Sequence, residues 1–266
     1  MVQTAMGLPM NEIFLNDVFS ELWHDLDPIT EADKLDGEVF RKVKTRRTFR
    51  FELNGRGYFV KIHKGVGWRE ILKNLSQLKI PVLGASNEYH AIRLLEKLGV
   101  PTMTPAAYAS RGTNPAAIES FLITDELTEV ISLEDYCRDW ENLPPSFHEK
   151  TALIRELART AAAMHDNGLN HRDCYICHFL LKKSTGKLHV IDLHRAQIRK
   201  RIPYRYRVKD TAGLYFSAMD CGLTRRDLLR FVAVYGRRTP DFWRDVRTVA
   251  EKLYRKVHGR PSRYSD

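Results

Sequence analysis

The sequence has no apolar run near the ~18–20 residues that a membrane-spanning helix requires, so no such span is expected. It is poor in cysteine, with four in 266 residues, too few for a disulfide framework to hold a chain of this length. Its first residues, MVQTAMGLPMNEIF, lack the basic region and long apolar stretch of a secretory signal, and a cytoplasmic location is expected. No internal repeat or low-complexity tract is visible. Hydrophobic residues at 43% and charged residues at 29% exclude a mostly disordered, fibrous or membrane-embedded chain. The length suits one large domain or two small ones, each with its own core.

Charge is present in excess and unevenly spread. Lysine and arginine total 43 against 33 acids, a net charge of +10. Residues 1–38 carry net −8, residues 39–194 net +6 and residues 195–266 net +12. A basic last third points to an anionic partner: nucleic acid, an anionic membrane surface or a phosphorylated ligand.

Residues 11–26 place Ile13, Phe14, Phe19, Leu22, Trp23 and Leu26 near helical spacing, with Asp17, Glu21 and Asp25 opposite, which predicts an acidic amphipathic helix packed on the core. From Val39 the texture is that of strands. VFRKV, TFRFEL and YFVKIH are rich in β-branched and aromatic residues, and Asn54-Gly55 between the last two signals a hairpin. Helical patterns follow over 68–78 and 86–98, the second with Ser86 as N-cap. Two strands fall within 101–127, a short helix near 132–140 and a long one over 147–167. Two short strands follow, at 179–182 and 187–191, and helices resume from about 210. The order predicts an α+β, bilobal architecture: residues 1–38 as an acidic N-terminal extension, an N-lobe of antiparallel sheet plus helix over 39–127, and a mainly helical C-lobe over 128–266, with a cleft between the lobes.

Four features fall in a meaningful order. Lys61 lies in a strand after the hairpin. Glu88 follows 27 residues later at a helix start. His171-Arg172-Asp173 follows the long helix, and Asp192 ends a short strand 19 residues after Asp173. This arrangement resembles the protein kinase-like fold. A phosphoryl group in transfer carries spread negative charge that Lys and Mg²⁺ must meet, and the acceptor hydroxyl needs a carboxylate within reach. Closer matching narrows the resemblance. NHRDCYICHFLL (170–181), VIDLHRA (190–196), YFVKIHKGVGW (58–68), PVLGASNEY (81–89) and LYFSAMDCGLTRRD (214–227) are similar to the bacterial lipopolysaccharide core heptose(I) kinases, over roughly 39–256.

The resemblance implies transfer of the ATP γ-phosphate to the O4 hydroxyl of the first heptose of the lipopolysaccharide inner core, at the cytoplasmic face of the inner membrane. It implies Asp173 as catalytic base, Asp192 as the Mg²⁺ ligand, Lys61 on the ATP phosphates with Glu88 as its partner, and Asp125, Glu126 and Leu127 as the adenine-contacting hinge. Asp210 matches the helical aspartate that braces the catalytic loop. An acidic acyl carrier protein is an implied partner.

The departures are local. His178 stands where protein kinases have asparagine, five residues after the catalytic aspartate. Imidazole is a poor ligand for Mg²⁺, which leaves His178 to contact a phosphate, to hold the loop, or to sit in a site that tolerates Mn²⁺. Asp192-Leu193-His194 replaces DFG. The glycine-rich phosphate loop is missing; the turn Lys44-Thr45-Arg46-Arg47 offers basic side chains in its place.

Cys174-x-x-Cys177-His178 formally matches a haem c attachment site, but such proteins are exported. His171, Cys174, Cys177 and His178 are too crowded for one tetrahedral zinc, and a redox pair lacks a thioredoxin-like setting. The expectation is that both cysteines pack under the loop. Residues 195–209 hold seven bases, two tyrosines and no acid; at the activation-segment position this is expected to receive a lipopolysaccharide glycolipid acceptor through Arg195, Arg199, Lys200, Arg201, Arg205 and Arg207. No nucleic-acid partner is expected. Trp68, Trp140, Trp243 and the stripe Ala91, Leu94, Leu95 and Leu98 read as core, and His63 as structural. The alternatives are a pseudokinase that binds nucleic acid or protein, and a kinase with another acceptor.

Overall fold

The computed structural model describes residues 10–43, 45–77, 81–236 and 238–263. The chain divides into two compact units. One comprises residues up to Arg93 together with Met103–Thr128; the other comprises Leu94–Thr102 and the residues from Glu129 onward.

The first unit is built on a six-stranded sheet of order β1-β5-β6-β4-β3-β2. Its strands are β1 (Met10–Leu15), β2 (Glu38–Val43), β3 (Arg46–Leu53), β4 (Arg56–Lys64), β5 (Pro105–Arg111) and β6 (Glu119–Asp125), each paired antiparallel with its neighbours. The β3–β4 turn is Asn54-Gly55, both left-handed with φ of 53° and 73°, the combination a two-residue hairpin requires. Tyr58, Val60 and Ile62 of β4 face a core with Phe49, Phe51, Phe121 and Ile123. The period of two therefore sets Lys61 on the opposite face.

Helices α1 (Asp17–Leu22) and α2 (Pro28–Lys34) follow β1. The amphipathic helix expected over 11–26 is not what forms: residues 10–15 are the edge strand β1, paired with β5. Asn16, whose side chain accepts from the Phe19 N–H at 3.0 Å, starts the helix only at Asp17. Phe19 and Trp23 nonetheless join the sheet core, Phe19 edge-on to Tyr58.

Helix α3 spans Trp68–Ser76, and α4 spans Ser86–Lys97. Trp68 is 54% exposed rather than core, because the apolar stripe of α3 is buried only at Ile71. Ser86 is the first helical residue, not the cap. Ala85 holds that place, its carbonyl accepting from Tyr89 N–H and its own N–H donating to Ser120 Oγ at 3.0 Å.

The second unit contains β7 (Val130–Ser132), α5 (Leu133–Cys137), α6 (Phe147–Asp166), β8 (Leu169–Asn170), β9 (Phe179–Lys182), β10 (Lys187–Val190), β11 (Gln197–Ile198), α7 (Tyr204–Ser217), α8 (Arg225–Tyr235) and α9 (Pro240–His258). Strands β10, β9 and β7 form one small sheet, and β8 with β11 another. The basic segment is not loop throughout: α7 begins at Tyr204, directly after Pro203, where the fixed φ of proline favours a helix start. Trp140 is buried and Trp243 half-buried. None of the described helices is long and apolar enough to cross a membrane.

Candidate active site

In the first unit Lys61 Nζ donates to Glu88 Oε1 at 2.6 Å. Glu88 sits in the first turn of α4, where the positive end of the helix dipole favours a carboxylate. Its side chain is only 1% exposed, and a buried charge of this kind persists only when paired. His63, two residues on, shares the Lys61 face and is buried.

At the end of β6, Asp125 N–H donates to the Thr104 carbonyl and Glu126 N–H to that of Gly57. Burial raises the Asp125 carboxyl above its ordinary range. The Glu126 carboxylate is gripped by Arg50 through Nε and Nη2, both at 2.8 Å, which holds it below the usual range. Of the three residues expected to contact adenine, Asp125 and Glu126 thus have their N–H donors engaged within the fold.

Lys44 of the turn expected to meet phosphates lies outside the described residues. Arg47 begins no phosphate cradle: it donates to the carbonyls of Asp33 and Leu35 at 3.0 and 2.8 Å and lies over the Phe49 ring.

In the second unit α6 ends at Asp166, and Gly168, with φ of 82°, turns the chain into β8. A Cβ on Gly168 would meet the Arg199 carbonyl at 1.8 Å, so only glycine permits this approach. It brings β11 alongside β8, with Gln197 opposite Asn170. The loop His171-Arg172-Asp173 that follows is braced by Asp210 of α7. Asp210 accepts from Asn170 Nδ2 at 2.6 Å, His171 N–H at 2.7 Å and Arg172 N–H at 2.9 Å. Burial would push this carboxyl up, but its contact with His165, helped by the Asn170 hydrogen bond, outweighs it and holds it below the ordinary range. His165 of α6 lies between them, its Nε2 3.4 Å from Asp210 and its Nδ1 2.7 Å from the Tyr235 hydroxyl.

Asp192 adopts left-handed φ of 56°, a conformation non-glycine residues hold only where the surroundings demand it. Its Oδ1 is 2.7 Å from His194 Nδ1. His178 Nδ1 donates to the Asp173 carbonyl at 2.7 Å, and its Nε2 lies 3.7 Å from Asp192 Oδ2. Burial pulls the His178 imidazole down, but its bonds to Cys177 and the Asp173 carbonyl prevail and its pKa is raised to about 9. The ring reaches from the Asp173 carbonyl toward Asp192. It ties the loop to the Asp192 turn, stacked 5.6 Å from the buried, neutral His171.

The cluster of His171, Cys174, Cys177 and His178 does not form. Among the described residues, the metal-type ligands brought together are His165, Cys174 and Asp210. The Asp210 oxygens are already taken by N–H donors, and burial raises the Cys174 thiol well above its ordinary pKa. Neither is a ready ligand; Cys174 is packed, as expected.

The six basic residues assigned to the acceptor separate. Arg195 donates to Asp173 Oδ1 at 2.6 Å. Arg199 bonds the Gln197 carboxamide and lies 5.0 Å over the Tyr206 ring. Arg205 donates to the Tyr206 hydroxyl at 2.7 Å, and Lys200 and Arg201 are exposed. Arg207 turns inward to Asp166 and the His165 carbonyl, at 2.8 and 2.6 Å. Sequence reasoning did not foresee that Arg195 holds Asp173, nor the parts of His165 and Tyr235. An arginine three residues after Asp192 was the available signal for the first; the others had none.

A separate apolar cavity of about 480 Å³ lies among the helices of the second unit, lined by Ile154, Leu214, Phe231 and Trp243 among others, with Arg244 and Arg247. Neither Asp173 nor Asp192 lines it.

Known proteins match at every level. The model of the lipopolysaccharide kinase (Kdo/WaaP) family matches residues 30–235. The lipopolysaccharide core heptose(I) kinase WaaP of Pseudomonas aeruginosa is 48% identical, covering 96% of this chain and 98% of that protein. The Escherichia coli protein of the same name is 52% identical, covering 83% of this chain and 86% of its own length. A solved structure described as WaaP in complex with acyl carrier protein aligns with a TM-score of 0.80 and 44% identity, covering 91% of this chain and 99% of that one. The fold is therefore kinase-like, and kinase membership implies the use of ATP. The chain belongs to the lipopolysaccharide kinase (Kdo/WaaP) family and is a phosphotransferase.

Proposed function

We propose that the chain transfers the γ-phosphate of ATP to the O4 hydroxyl of the first heptose in the lipopolysaccharide inner core. The names of the relatives support the acceptor class. The observation that carries the chemistry is the braced loop. Three donors on Asp210 fix the backbone that presents Asp173, so the base is positioned before substrate arrives. In this reading Asp173 takes the proton of the acceptor hydroxyl, Lys61 meets the ATP phosphates, and Leu127 with Asp125 orients the purine. Arg199, Lys200, Arg201 and Arg205 draw in the anionic acceptor, while Arg207, committed internally, acts through the fold.

Magnesium is taken up through one or two carboxylates completed by phosphates and water. Asp192 fits that donor set and would hold it, while His178, its Nδ1 on the Asp173 carbonyl, ties the loop to the Asp192 turn. When bound, the ion would neutralise charge on the transferring phosphates.

The basic last third, net +12 over 195–266, supports residence at the anionic cytoplasmic face of the inner membrane. Acyl carrier protein is proposed as a partner because the similar solved structure holds one. The test is transfer of labelled γ-phosphate to lipopolysaccharide lacking heptose phosphate, the product mapped by NMR. Wild type is expected to phosphorylate O4 and Asp173→Asn to fail. Transfer to another position, or by the variant alike, would overturn the reading.

A further inference from the structure

The geometry points to Arg195 as a catalytic residue that moves from Asp173 to the phosphoryl group in transfer. The inference rests on the phosphotransfer reading above and deepens it.

Its first support is a conflict. Asp173 is assigned as a base, yet its Oδ1 accepts from Arg195 Nη1 at 2.6 Å. That oxygen is therefore already engaged, and a proton arriving from the acceptor meets a lone pair spent on the guanidinium. Freeing Oδ1 for that proton requires the pair to loosen, which a competing anion brings about. The anion that the reaction itself brings to this place is the phosphoryl group.

The second support is how firmly Arg195 is delivered. It closes a short turn that begins at Asp192, in which Ala196 N–H donates to the Leu193 carbonyl at 2.9 Å and Leu193 is fully buried. Immediately beyond, Gln197 pairs with Asn170, and Arg199 N–H donates to the Gly168 carbonyl at 3.0 Å. Both flanks of Arg195 are therefore fixed beside the loop, while the side chain itself keeps 38% exposure. A guanidinium has five donors; one is on Asp173, and the exposed part of the group is open to an oxyanion.

The third support is local charge. Arg172 is depressed below its ordinary pKa, by burial first and by the proximity of Arg195 next, with Arg199 contributing. Cations so gathered around one aspartate are more comfortable with a further anion present.

The transfer balances without any further reactant. The acceptor O–H bond breaks and its proton passes to the Asp173 carboxylate. The acceptor oxygen bonds to the γ-phosphorus, and the bond from that phosphorus to the bridging oxygen breaks, its electron pair leaving on ADP. Arg195 donates to the equatorial oxygens of the phosphoryl group, where charge is spread at the transition state.

The test is independent of the acceptor. Full-length wild type, Arg195→Ala and Arg195→Lys are titrated with ADP and Mg²⁺, without and with aluminium fluoride, which mimics the phosphoryl group in flight. Wild type is expected to bind the fluoroaluminate complex far more tightly than ADP. Arg195→Ala should lose about 10²–10³-fold of that gain with ADP affinity little changed, and Arg195→Lys should retain an intermediate share. Thermal melts of all three check folding. Equal gains in wild type and Arg195→Ala would overturn the proposal and leave Arg195 an acceptor anchor; so would a wild type that binds ADP without any gain. A wild type that cannot bind ADP at all would sink the phosphotransfer reading and this one together. The expected pattern, in a protein that fails to phosphorylate lipopolysaccharide, would uphold Arg195 and sink only the acceptor.

Discussion

Two ion pairs of the same length do different jobs. Lys61–Glu88 and Arg195–Asp173 both measure 2.6 Å. The first joins a central strand to a helix, and its carboxylate is sealed at 1% exposure. The second joins two turns, its carboxylate 18% and its guanidinium 38% exposed. Breaking the first strands a buried charge, which costs about 3–5 kcal/mol. Breaking the second exposes a carboxylate that water or a ligand can serve. Equal distance therefore conceals unequal exchangeability: the first carboxylate is sealed from water, and the second pair is open to exchange.

The sharpest break of this comparison is Asp173→Asn. It should cut transfer by about 10²–10⁴-fold while urea denaturation shifts little, because its partner is partly wet. Lys61→Met should do the reverse in kind, lowering stability by about 3–5 kcal/mol as well as activity. Adding Glu88→Gln to Lys61→Met should recover much of that stability, which chemical denaturation of the single and double variants reads directly.

Asp210→Asn should cost about 1–3 kcal/mol at neutral pH. Its carboxyl is held below the ordinary range, so its contribution is present above the unfolded carboxylate pKa and is lost as pH falls through the folded value. The stability difference between wild type and variant should therefore shrink below about pH 4, and acid titration of both would show it. The smallest effect is expected at Arg207→Ala. It should lower stability by about 0.5–1 kcal/mol, because its partner Asp166 is 51% exposed, and leave KM for the acceptor unchanged. A raised acceptor KM would return Arg207 to the acceptor surface.

The parts of the molecule legible in the sequence are those with a single local cause. The hairpin followed from Asn54-Gly55, and the Lys61 face from the alternation of Tyr58, Val60 and Ile62. The segment at 10–15 misled because Ile13, Phe14 and Phe19 fit a helical stripe as well as a strand. Only the Asn16 cap divides them, and only the edge of β5 gives the first half a ladder. Trp68 misled because size was taken for burial. In the site, the residue types on the loop were readable, but their partners were not. That Arg195 meets Asp173 depends on Gly168 admitting the Arg199 carbonyl, and the place of His178 is set by the Asp173 carbonyl that accepts from its ring.

The Asp210 brace has a consequence for protein engineering. One carboxylate receives three donors from Asn170, His171 and Arg172, so the shape of the loop is specified at a single address rather than spread along its length. The portable unit is then small: a helix bearing Asp210, a second bearing His165, and the strand end at Asn170. The stretch Cys174-Tyr175-Ile176-Cys177 could be rewritten within the limits of its packing. A graft that copied the loop without that carboxylate would carry the letters of the motif and none of its geometry.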